Sequence, residues 1–326
     1  MPASEADLIE RYLLRAGAER SDVILGIGDD AAIVRAPADQ ELVLTTDALI
    51  EGAHFLPGAA AHSLGHRALA VNLSDLAAMG AEPAWALASL VLPEADEAWL
   101  RDFAAGFGAL ARSHGVALVG GNLSRGPLSI TIQLTGFVAP GTALRRSGGR
   151  PGDRLFISGT LGDARAGRLL GAPEPGMRPP EAEQRRQLQQ RFEYPTARIA
   201  LGQALRGVAS ACMDLSDGLL ADLPRLAAAS GCGADLRVAG LPLSTSLRAL
   251  CGTQAWQQGL QGGEDYELLF SVPPAQVAKI GALAVRLGVP LSPCGLLRGG
   301  SGVALLGDSG VIQFSASSFD HFAAAP

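Results

Sequence analysis

The sequence of 326 residues contains a single lysine, Lys279, although lysine and arginine together number 26. This scarcity excludes a phosphate-binding loop of the type ending in Gly-Lys-Ser/Thr near the N-terminus. No run of basic residues is long enough to follow a nucleic-acid backbone, and the formal net charge is −6. We therefore expect no nucleic-acid partner.

Cysteine is scarce, and so are long apolar runs. The four cysteines form no Cys-x-x-Cys pair, which predicts reduced residues, mostly in the core. The longest clearly apolar run, residues 84–92, has the length of a strand and is far too short to span a membrane. The first thirty residues predict an amphipathic helix and not a signal peptide. These features predict a cytoplasmic protein without a membrane partner.

The chain nevertheless has the composition of a folded protein with a substantial core. Hydrophobic residues make up 48% and charged residues 18% of the sequence, and its length allows about two domains. Predicted strands alternate with predicted helices in the first half, which indicates an α/β fold. A cluster of helix and strand breakers, 148–152, predicts a domain boundary, so the expected domains are 1–148 and 149–326.

Asp75 is the residue that first indicates a binding site. Helical spacing places it in the middle of an apolar stripe formed by Leu64, Ala68, Val71 and Met79. A carboxylate on the buried face of a helix is costly unless it is paired or bound to a cation. Asp75 is therefore either paired with an arginine or a backbone donor, or it is a metal ligand.

Three other short segments present acidic side chains beside glycines or threonines, namely 26–30, 45–47 and 214–218. We expect each at the end of a strand or in the following turn, where ligand sites of α/β folds gather. Mg²⁺ prefers oxygen ligands and usually takes one or two carboxylates together with waters and substrate phosphates. The candidate ligands are Asp30, Asp47, Asp75 and Asp214, with the hydroxyls or carbonyls of Thr45 and Thr46. Any one of these motifs could instead be a solvated turn, but together they predict a multi-metal site.

Glycine-rich and basic segments add a possible phosphate site. The segment 120–126 is predicted as a loop and 159–162 as a turn. Backbone N–H groups of 120–122 and 159–162 could approach phosphate oxygens, unless these segments are simply tight turns. Arg145 and Arg146 suit a polyphosphate because guanidinium groups match phosphate oxygens, although a solvated basic pair is the alternative. No convincing nucleophile–base arrangement occurs among histidine, serine and cysteine, which fits phosphoryl transfer, where positioning and charge neutralisation dominate.

A nicotinamide dinucleotide site is a weaker alternative. Gly26, Gly28 and Ala31 match the fingerprint G-x-G-x-x-[GA] after a strand. However, two aspartates occupy the place of the pyrophosphate, and residues 31–34 are predicted as strand and not as the start of a helix. The fingerprint therefore carries little weight.

Taken together, these motifs resemble the thiamine-monophosphate kinase family, whose superfamily includes aminoimidazole-ribonucleotide synthetase and selenophosphate synthetase. The motifs are Gly-Ile-Gly-Asp-Asp (26–30), Thr-Thr-Asp (45–47), His-Phe-Leu-Pro (54–57), Ala-Val-Asn-Leu-Ser-Asp-Leu-Ala-Ala-Met-Gly-Ala-Glu-Pro (70–83), Arg-Ser-Gly (146–148), Asp-Leu-Ser-Asp-Gly (214–218), Gly-Gly-Glu-Asp-Tyr-Glu-Leu (262–268) and Asp-His-Phe (320–322). They span nearly the whole chain. The sister families would suggest a catalytic cysteine near the start or a tail ending in cysteine, and neither is present.

The resemblance implies a two-domain aminoimidazole-ribonucleotide-synthetase-like fold with an N-terminal domain that binds ATP and Mg²⁺ and a C-terminal α/β domain. It implies a homodimer formed through the sheets of the N-terminal domains, with ATP bound near that interface. The implied reaction is ATP-dependent phosphorylation of thiamine monophosphate to thiamine diphosphate, with several Mg²⁺ ions.

The resemblance also assigns roles to residues. The implied metal ligands are Asp30, Thr45, Thr46, Asp47, Asp75, Asn122, Asp214 and Asp217. The implied contacts to ATP are Gly121, Asn122, Arg146 and Ser216, those to the thiamine end are His54, Glu264 and Phe319, and Asp75 and Arg146 are the expected catalytic residues.

Two positions depart from the family pattern. Asn122 stands where an aspartate is common, which puts one metal ligand in doubt, and Phe319 stands where tyrosine or tryptophan is frequent. Asn122 is the sole support for an alternative, a relative that binds nucleotide without catalysis. We expect the kinase, because the other acidic positions are intact.

Overall fold

The structure, a computed structural model, describes residues 4–313, so Phe319 and the motif at 320–322 lie outside the described residues. The chain divides into two compact units, one formed by Met1–Leu76 with Ala81–Ala143 and the other by Ala77–Gly80 with Leu144–Pro326. Within the described part of the chain, no helix combines the length and the apolar character needed to cross a membrane.

The first unit is built around a four-stranded sheet. Its strands are β1 (Val23–Leu25), β2 (Ile33–Val34), β3 (Glu41–Ile50), β4 (Glu82–Leu92), β5 (Ala117–Arg125) and β6 (Ser129–Val138), and its helices are α1 (Glu5–Leu8), which continues as a π-helical turn (Ile9–Leu13), α2 (Ala61–Ala78) and α3 (Glu97–Ser113). The sheet has the order β3-β6-β4-β5, in which β4 and β5 are parallel and the other pairs antiparallel. Strands β1 and β2 form a separate antiparallel pair.

The two faces of this sheet differ because side chains alternate along each strand. In β6, Ile130, Ile132 and Leu134 are fully buried on the face that carries the helices, whereas the residues between them are half-buried on the opposite face. Helices α2 and α3 cross closely at two glycines. A Cβ atom would lie 2.1 Å from the Phe103 carbonyl oxygen at Gly65, and 1.9 Å from the His62 carbonyl oxygen at Gly106.

Two predicted strand ends in this unit are wrong. The segment predicted as a loop at 120–126 lies almost entirely in β5, and β3 continues past Asp47 to Ile50. The glycines reflect a close approach of strands, since a Cβ atom at Gly121 would lie 1.8 Å from the Ala88 carbonyl oxygen. Composition indicated a loop, whereas pairing with β4 makes the segment a strand.

The second unit contains a seven-stranded, mainly antiparallel sheet in the order β13-β12-β9-β11-β7-β10-β8, in which β9 and β12 are parallel. Its strands are β7 (Arg154–Ser158), β8 (Ala211–Asp214), β9 (Gly233–Arg237), β10 (Leu268–Val272), β11 (Leu291–Arg298), β12 (Val303–Gly307) and β13 (Gly310–Val311). Its helices are α4 (Asp163–Leu169), α5 (Ala182–Glu193), α6 (Ile199–Leu205), α7 (Leu219–Ala229), α8 (Thr245–Cys251), α9 (Ala255–Gln261) and α10 (Ala278–Leu287), with short 3₁₀ turns at Val238–Gly240, Gly252–Gln254 and Pro274–Gln276.

Strand β10 is the element of this sheet that positions the candidate site. It is buried along its whole length between β7 and β8. The glycine-rich segment 262–267 enters β10, and the acidic segment 214–218 leaves β8, so the two loops emerge next to each other. Each of the two units combines helices with a sheet, as expected from the sequence.

Candidate active site

Asp75 lies on α2 and faces β3. The Thr45 hydroxyl donates a hydrogen bond to the Asp75 carboxylate, a partner that differs from both the arginine and the backbone donor considered above. Asp75 is half-buried, whereas Leu64, Ala68 and Val71 of the predicted apolar stripe are buried. The carboxylate is therefore at the edge of the core and not inside it, which lowers the cost of keeping it charged.

The alternation of β3 separates two neighbouring candidates. Thr45 and Asp47 belong to the face of the sheet that carries α2, whereas Thr46 belongs to the opposite face. The Thr46 hydroxyl donates to the Ile132 carbonyl oxygen at 3.1 Å. The side chains of Thr45 and Thr46 therefore cannot serve one ion from the same side of the strand, and Thr46 could join Thr45 only through its carbonyl.

A second group of candidates lies on the opposite face of the sheet. Asp29, Asp30, Gly121 and Asn122 line a cavity of about 1110 Å³, formed between the N-terminal helical segment, the 26–32 loop and the outward face of β4, β5 and β6. The cavity also exposes the polar side chains of Ser89, Thr131 and Gln133. Its size suits a ligand as large as a nucleotide.

The segment resembling a dinucleotide fingerprint leads into strand β2 and not into a helix. Pyrophosphate recognition by that fingerprint depends on a helix N-terminus directly after the glycines. This structure therefore agrees with the low weight given to the nicotinamide alternative.

His54 occupies the turn that follows β3. Its Nδ1 accepts a hydrogen bond from the Ile50 N–H at 3.1 Å, and its carbonyl oxygen accepts one from Arg67 Nη1 at 3.0 Å. The ring orientation is thus set by the backbone, which leaves Nε2 as the other nitrogen of a half-buried side chain.

In the second unit, the acidic motif surrounds the start of α7. Asp214 is buried at the end of β8, and Asp217 lies in the following loop. Arg225 Nη1 donates to the carboxylates of Asp217 and Asp222 at 2.6 and 2.8 Å, and the Asp217 N–H donates to Asp222 at 3.1 Å. Burial, followed by the charge of Asp217, raises the pKa of Asp222 to about 6.

Asp222 and Arg225 were missed by the sequence analysis, although their i, i+3 spacing on a helix is a usable signal. Arg146 also acts on this cluster, because its positive charge lowers the pKa of Asp222. The Arg146 carbonyl oxygen accepts a hydrogen bond from Ser230 Oγ at 3.0 Å, which anchors the backbone of this exposed arginine. The structure thus brings Arg146 and Asp217 into one electrostatic neighbourhood.

Backbone hydrogen bonds join the two loops of this unit. The Glu264 N–H donates to the Ser216 carbonyl oxygen at 2.8 Å, and the Tyr266 N–H donates to the Leu215 carbonyl oxygen at 2.9 Å. In return, the Leu215 N–H donates to the Glu267 carbonyl oxygen at 2.8 Å. The predicted ATP contact Ser216 and the predicted thiamine contact Glu264 are therefore neighbours.

The segment 262–267 carries backbone strain. Glu264 and Tyr266 have φ angles of 71° and 50°, and they are the non-glycine residues with positive φ in the part of the chain that the structure describes. Such conformations cost on the order of 1–3 kcal/mol each and persist only when surrounding contacts impose them. The Tyr266 hydroxyl donates to Glu264 Oε2 at 2.9 Å, so these two side chains support each other.

Buried carboxyl groups anchor the other side of the segment. The carboxylate of Glu267 is fully buried and accepts from Ser158 Oγ at 2.5 Å, from Arg191 Nη2 at 2.8 Å, and from Arg198 Nε and Nη2 at 2.6 Å each. Asp265 is also buried and accepts from the N–H groups of Gly162 and Ala164. The sequence analysis used this segment only for the resemblance and did not identify these roles.

The donor set of the candidate site fits Mg²⁺ that arrives with phosphates. Across residues 4–313, no group of three or more histidine, cysteine, aspartate or glutamate side chains is arranged to hold a metal ion. The predicted ligands Asp47 and Asp75 lie on the face of the sheet that carries α2, beside Thr45, whereas Asp30 lines the cavity on the opposite face. All three are hard oxygen donors of the type that Mg²⁺ prefers. Because Mg²⁺ commonly takes one or two carboxylates and completes its shell with water and substrate phosphates, this sparse set is compatible with it.

Comparisons with known proteins identify the family. Residues 28–138 match the family model described as AIR synthase related protein, N-terminal domain, and residues 150–307 match the corresponding C-terminal domain. The chain is 44% identical over 325 residues to the thiamine-monophosphate kinase of Salmonella typhimurium, with 99% of each chain covered. This chain belongs to the thiamine-monophosphate kinase family.

Solved structures of the thiamine-monophosphate kinase family agree with this assignment. The crystal structure of thiamine-monophosphate kinase from Stenotrophomonas maltophilia matches with a TM-score of 0.82 and 44% identity, covering 88% of this chain and 92% of that chain. The structure described as AaThiL complexed with AMPPCP and TMP matches with a TM-score of 0.77 and 36% identity, covering 91% and 92%. Hydrogenase maturation proteins at about a fifth identity share the fold. The family and the fold expected from the resemblance are thus confirmed.

Proposed function

We propose that this protein transfers the γ-phosphoryl group of ATP to the phosphate of thiamine monophosphate, giving thiamine diphosphate and ADP. The observation that carries the proposal is the 44% identity to a thiamine-monophosphate kinase across nearly the full length of both chains. The similarity to a structure that holds AMPPCP and TMP supports the same pair of substrates.

The chemistry asks little of a general base. A phosphate oxygen of thiamine monophosphate, already anionic at neutral pH, attacks the γ-phosphorus of ATP, and the bond between that phosphorus and the β–γ bridging oxygen breaks. The electron pair of the broken bond leaves with ADP, and no proton needs to be removed from the nucleophile. The protein must instead bring two anions together, which is a task of positioning and charge neutralisation.

Residues of each unit fit that task separately. In the first unit, Asp30, Gly121 and Asn122 line a cavity of nucleotide size, and Thr45 holds the Asp75 carboxylate at the edge of α2. In the second unit, Arg146 offers a guanidinium group to phosphate oxygens, and Ser216 lies beside Glu264. Mg²⁺ bound to the aspartates would supply positive charge that offsets the repulsion between the two phosphates.

The direct test is to incubate the protein with ATP, Mg²⁺ and thiamine monophosphate and to measure thiamine diphosphate and ADP by chromatography. We expect both products in equal amounts. ADP formed only with an aminoimidazole precursor or with selenide would assign the chain to a sister activity. ATP binding without turnover at any Mg²⁺ concentration would instead support the non-catalytic alternative suggested by Asn122.

We also propose that a second copy of this chain covers the outward face of the first unit's sheet. Four large apolar side chains on this face are exposed, with Leu42 at 47%, Leu44 at 66%, Ile50 at 46% and Leu87 at 41% of their full exposure. Strand β3 is moreover an edge strand of this sheet. A group of exposed apolar side chains next to an edge strand favours association with another protein surface.

Leu44→Arg is expected to shift the protein from dimer to monomer, because it places a charge in the middle of the proposed interface. The measurement is molar mass by light scattering after size-exclusion chromatography, with the exposed Val285→Arg as the matched control. A monomeric wild-type protein at micromolar concentration would contradict the proposal.

The dependence on ATP, together with four buried, free cysteines, favours a cytoplasmic location.

A further inference from the structure

The side chains of the segment 262–267 lie on two sides, one that is accessible from solvent and one that is buried. The side chains of Glu264 and Tyr266 contact each other, and Glu264 is half-buried and accessible from solvent. The side chains of Asp265 and Glu267 point the other way. They are buried among donors from β7 and α5 and from the starts of α4 and α6. A segment that alternates in this manner presents one side chain outward while the next is held inside.

The Asp265 carboxyl is hydrogen-bonded to the start of α4. Its Oδ2 accepts from the Gly162 N–H at 2.7 Å and its Oδ1 from the Ala164 N–H at 3.3 Å. These N–H groups belong to the first turn of α4, where helix geometry leaves donors without intrahelical partners. One carboxyl group thus satisfies two backbone donors and ties residue 265 to a helix that is distant in sequence.

The backbone on both sides of Asp265 is strained. Residues 264 and 266 have positive φ, so a relaxed segment would rotate toward ordinary conformations unless it were held. The backbone bonds to Ser216 and Leu215 hold it on one side, and the Asp265 carboxyl holds it on the other. Loss of the inner attachment would let residue 264 move, although no group that touches a substrate had been changed.

We propose that Asp265 is a positioning residue that acts through Glu264, fixing the outward side chain that contacts the thiamine end of the substrate. The inference rests on the proposed function, because it takes from that function the role of Glu264. In this proposal Asp265 does not contact the reacting atoms, because its carboxyl is buried against the start of α4. Its effect is to keep residue 264 in a conformation that the residue does not adopt by itself.

The test compares Asp265→Ala with Asp265→Asn in the full-length protein. Alanine removes both acceptors, and we expect the KM for thiamine monophosphate to rise about tenfold while the KM for ATP changes by less than about twofold. The side chain of asparagine has the same length and keeps an oxygen that can accept the shorter of the two bonds, from Gly162. Asp265→Asn should therefore have a KM for thiamine monophosphate within about threefold of the wild-type value. If alanine leaves the KM for thiamine monophosphate unchanged, or if asparagine rescues nothing, the proposal is wrong.

Asp163→Ala is the matched control. Asp163 is a buried aspartate at the same helix start, but its carboxylate accepts from the Thr160 and Ser244 hydroxyls and makes no hydrogen bond to residues 262–267. We expect Asp163→Ala to lower the melting temperature without a selective rise in the KM for thiamine monophosphate. An equal selective rise in both variants would show a general effect of damage near α4 and would overturn the proposal.

A double-mutant cycle with Glu264→Ala separates this inference from the proposed function. If Asp265 acts through Glu264, Asp265→Ala should add little to the effect of Glu264→Ala on the KM for thiamine monophosphate. Full additivity of the two effects would overturn the inference and leave the proposed function intact. A Glu264→Ala variant with wild-type KM would instead refute the role assigned to Glu264.

Asp265→Ser provides a second variant in case Asp265→Ala does not fold, since it shortens the side chain but leaves a hydroxyl acceptor. The same selective rise in KM is expected from it. Insolubility of both variants would make Asp265 a residue required for folding as a whole, and the specific action through Glu264 would be refuted.

Discussion

In the first unit, the candidates Thr45 and Asp75 lie on a strand and a helix, whereas in the second unit the candidates Ser216 and Glu264 lie on two loops. Thr45 and Asp75 meet because β3 and α2 place them on facing surfaces, and Thr46 is excluded from that contact by strand alternation alone. Ser216 and Glu264 meet because irregular backbone is hydrogen-bonded and anchored from inside. The comparison teaches that a regular element positions a side chain through its period, while a loop needs buried partners elsewhere.

The largest effect is expected from Asp75→Asn in the regular site. The change removes a negative charge from a position predicted to bind Mg²⁺, and we expect kcat to fall by about a hundredfold or more. The free energy of unfolding should stay the same or rise, because a half-buried charge is relieved. The measurements are steady-state kinetics and urea denaturation.

The pair Thr45→Val and Thr46→Val sharpens this prediction, since both remove a hydroxyl from adjacent positions. Thr45→Val should impair activity because it leaves Asp75 without its hydroxyl donor, while Thr46→Val should change activity much less.

Near-normal turnover of Asp75→Asn at ordinary Mg²⁺ would show that Asp75 has a structural role only.

Glu267→Gln tests the buried anchor of the loop site. The amide would leave the charges of Arg191 and Arg198 partly uncompensated in a buried place, so we expect a loss of about 3–5 kcal/mol in the free energy of unfolding. Urea denaturation measures this loss. Asp102→Asn, which breaks an exposed ion pair with Arg101, should have little effect. Equal losses in the two variants would contradict the difference between buried and exposed pairs.

The pH dependence of stability gives a smaller effect in the same loop site. Burial raises the pKa of Asp265 from 3.8 to about 8, against the opposing effect of the Gly162 N–H and Arg191. A carboxyl whose pKa is raised by folding stabilises the protein fully below its unfolded pKa, and that contribution is lost as the pH rises through the folded pKa. The difference in unfolding free energy between wild type and Asp265→Asn should therefore shrink between about pH 5 and about pH 9.

Urea denaturation of both proteins across this range checks the slope. Asparagine does not titrate, so other groups that titrate in both proteins cancel in the difference. A difference that stays constant or grows with pH would show that Asp265 is ionised throughout.

Asn122→Asp is expected to give the smallest change. An amide oxygen brings no charge to offset that of Mg²⁺, so an aspartate should lower the Mg²⁺ concentration needed for half-maximal rate, by at most about tenfold. The maximal rate should change much less. The measurement is a titration of free Mg²⁺ at fixed, saturating MgATP for both forms, and superimposable curves would remove Asn122 from the predicted metal ligands.

Local patterns predicted the regular site better than the loop site. Sequence patterns predicted the helix α2 and the strand containing Thr45, but not the partner of Asp75. The predicted apolar stripe is not a distinct face, because α2 is buried on nearly all sides from residue 67 to residue 78 and Met79 lies past its end. The glycines at 120–121 led to the wrong prediction of a loop, because composition alone does not distinguish a loop from strands that approach closely. The roles of Asp265 and Glu267 could not be predicted, because their partners in β7, in α5 and at the starts of α4 and α6 are set by tertiary contacts.

The anchoring of the 262–267 segment also has a consequence for the order of folding. Glu267 meets Ser158 across 109 residues of chain and Arg198 across 69, and Asp265 meets Gly162 across 103. Contacts between residues so far apart in sequence form only after large loops have closed. Until then, no hydrogen bond from these partners offsets the strain in the backbone. We expect this segment to acquire its native structure late and its amide hydrogens to exchange by local opening ahead of β10, so the loop forms only after the elements that anchor it are complete.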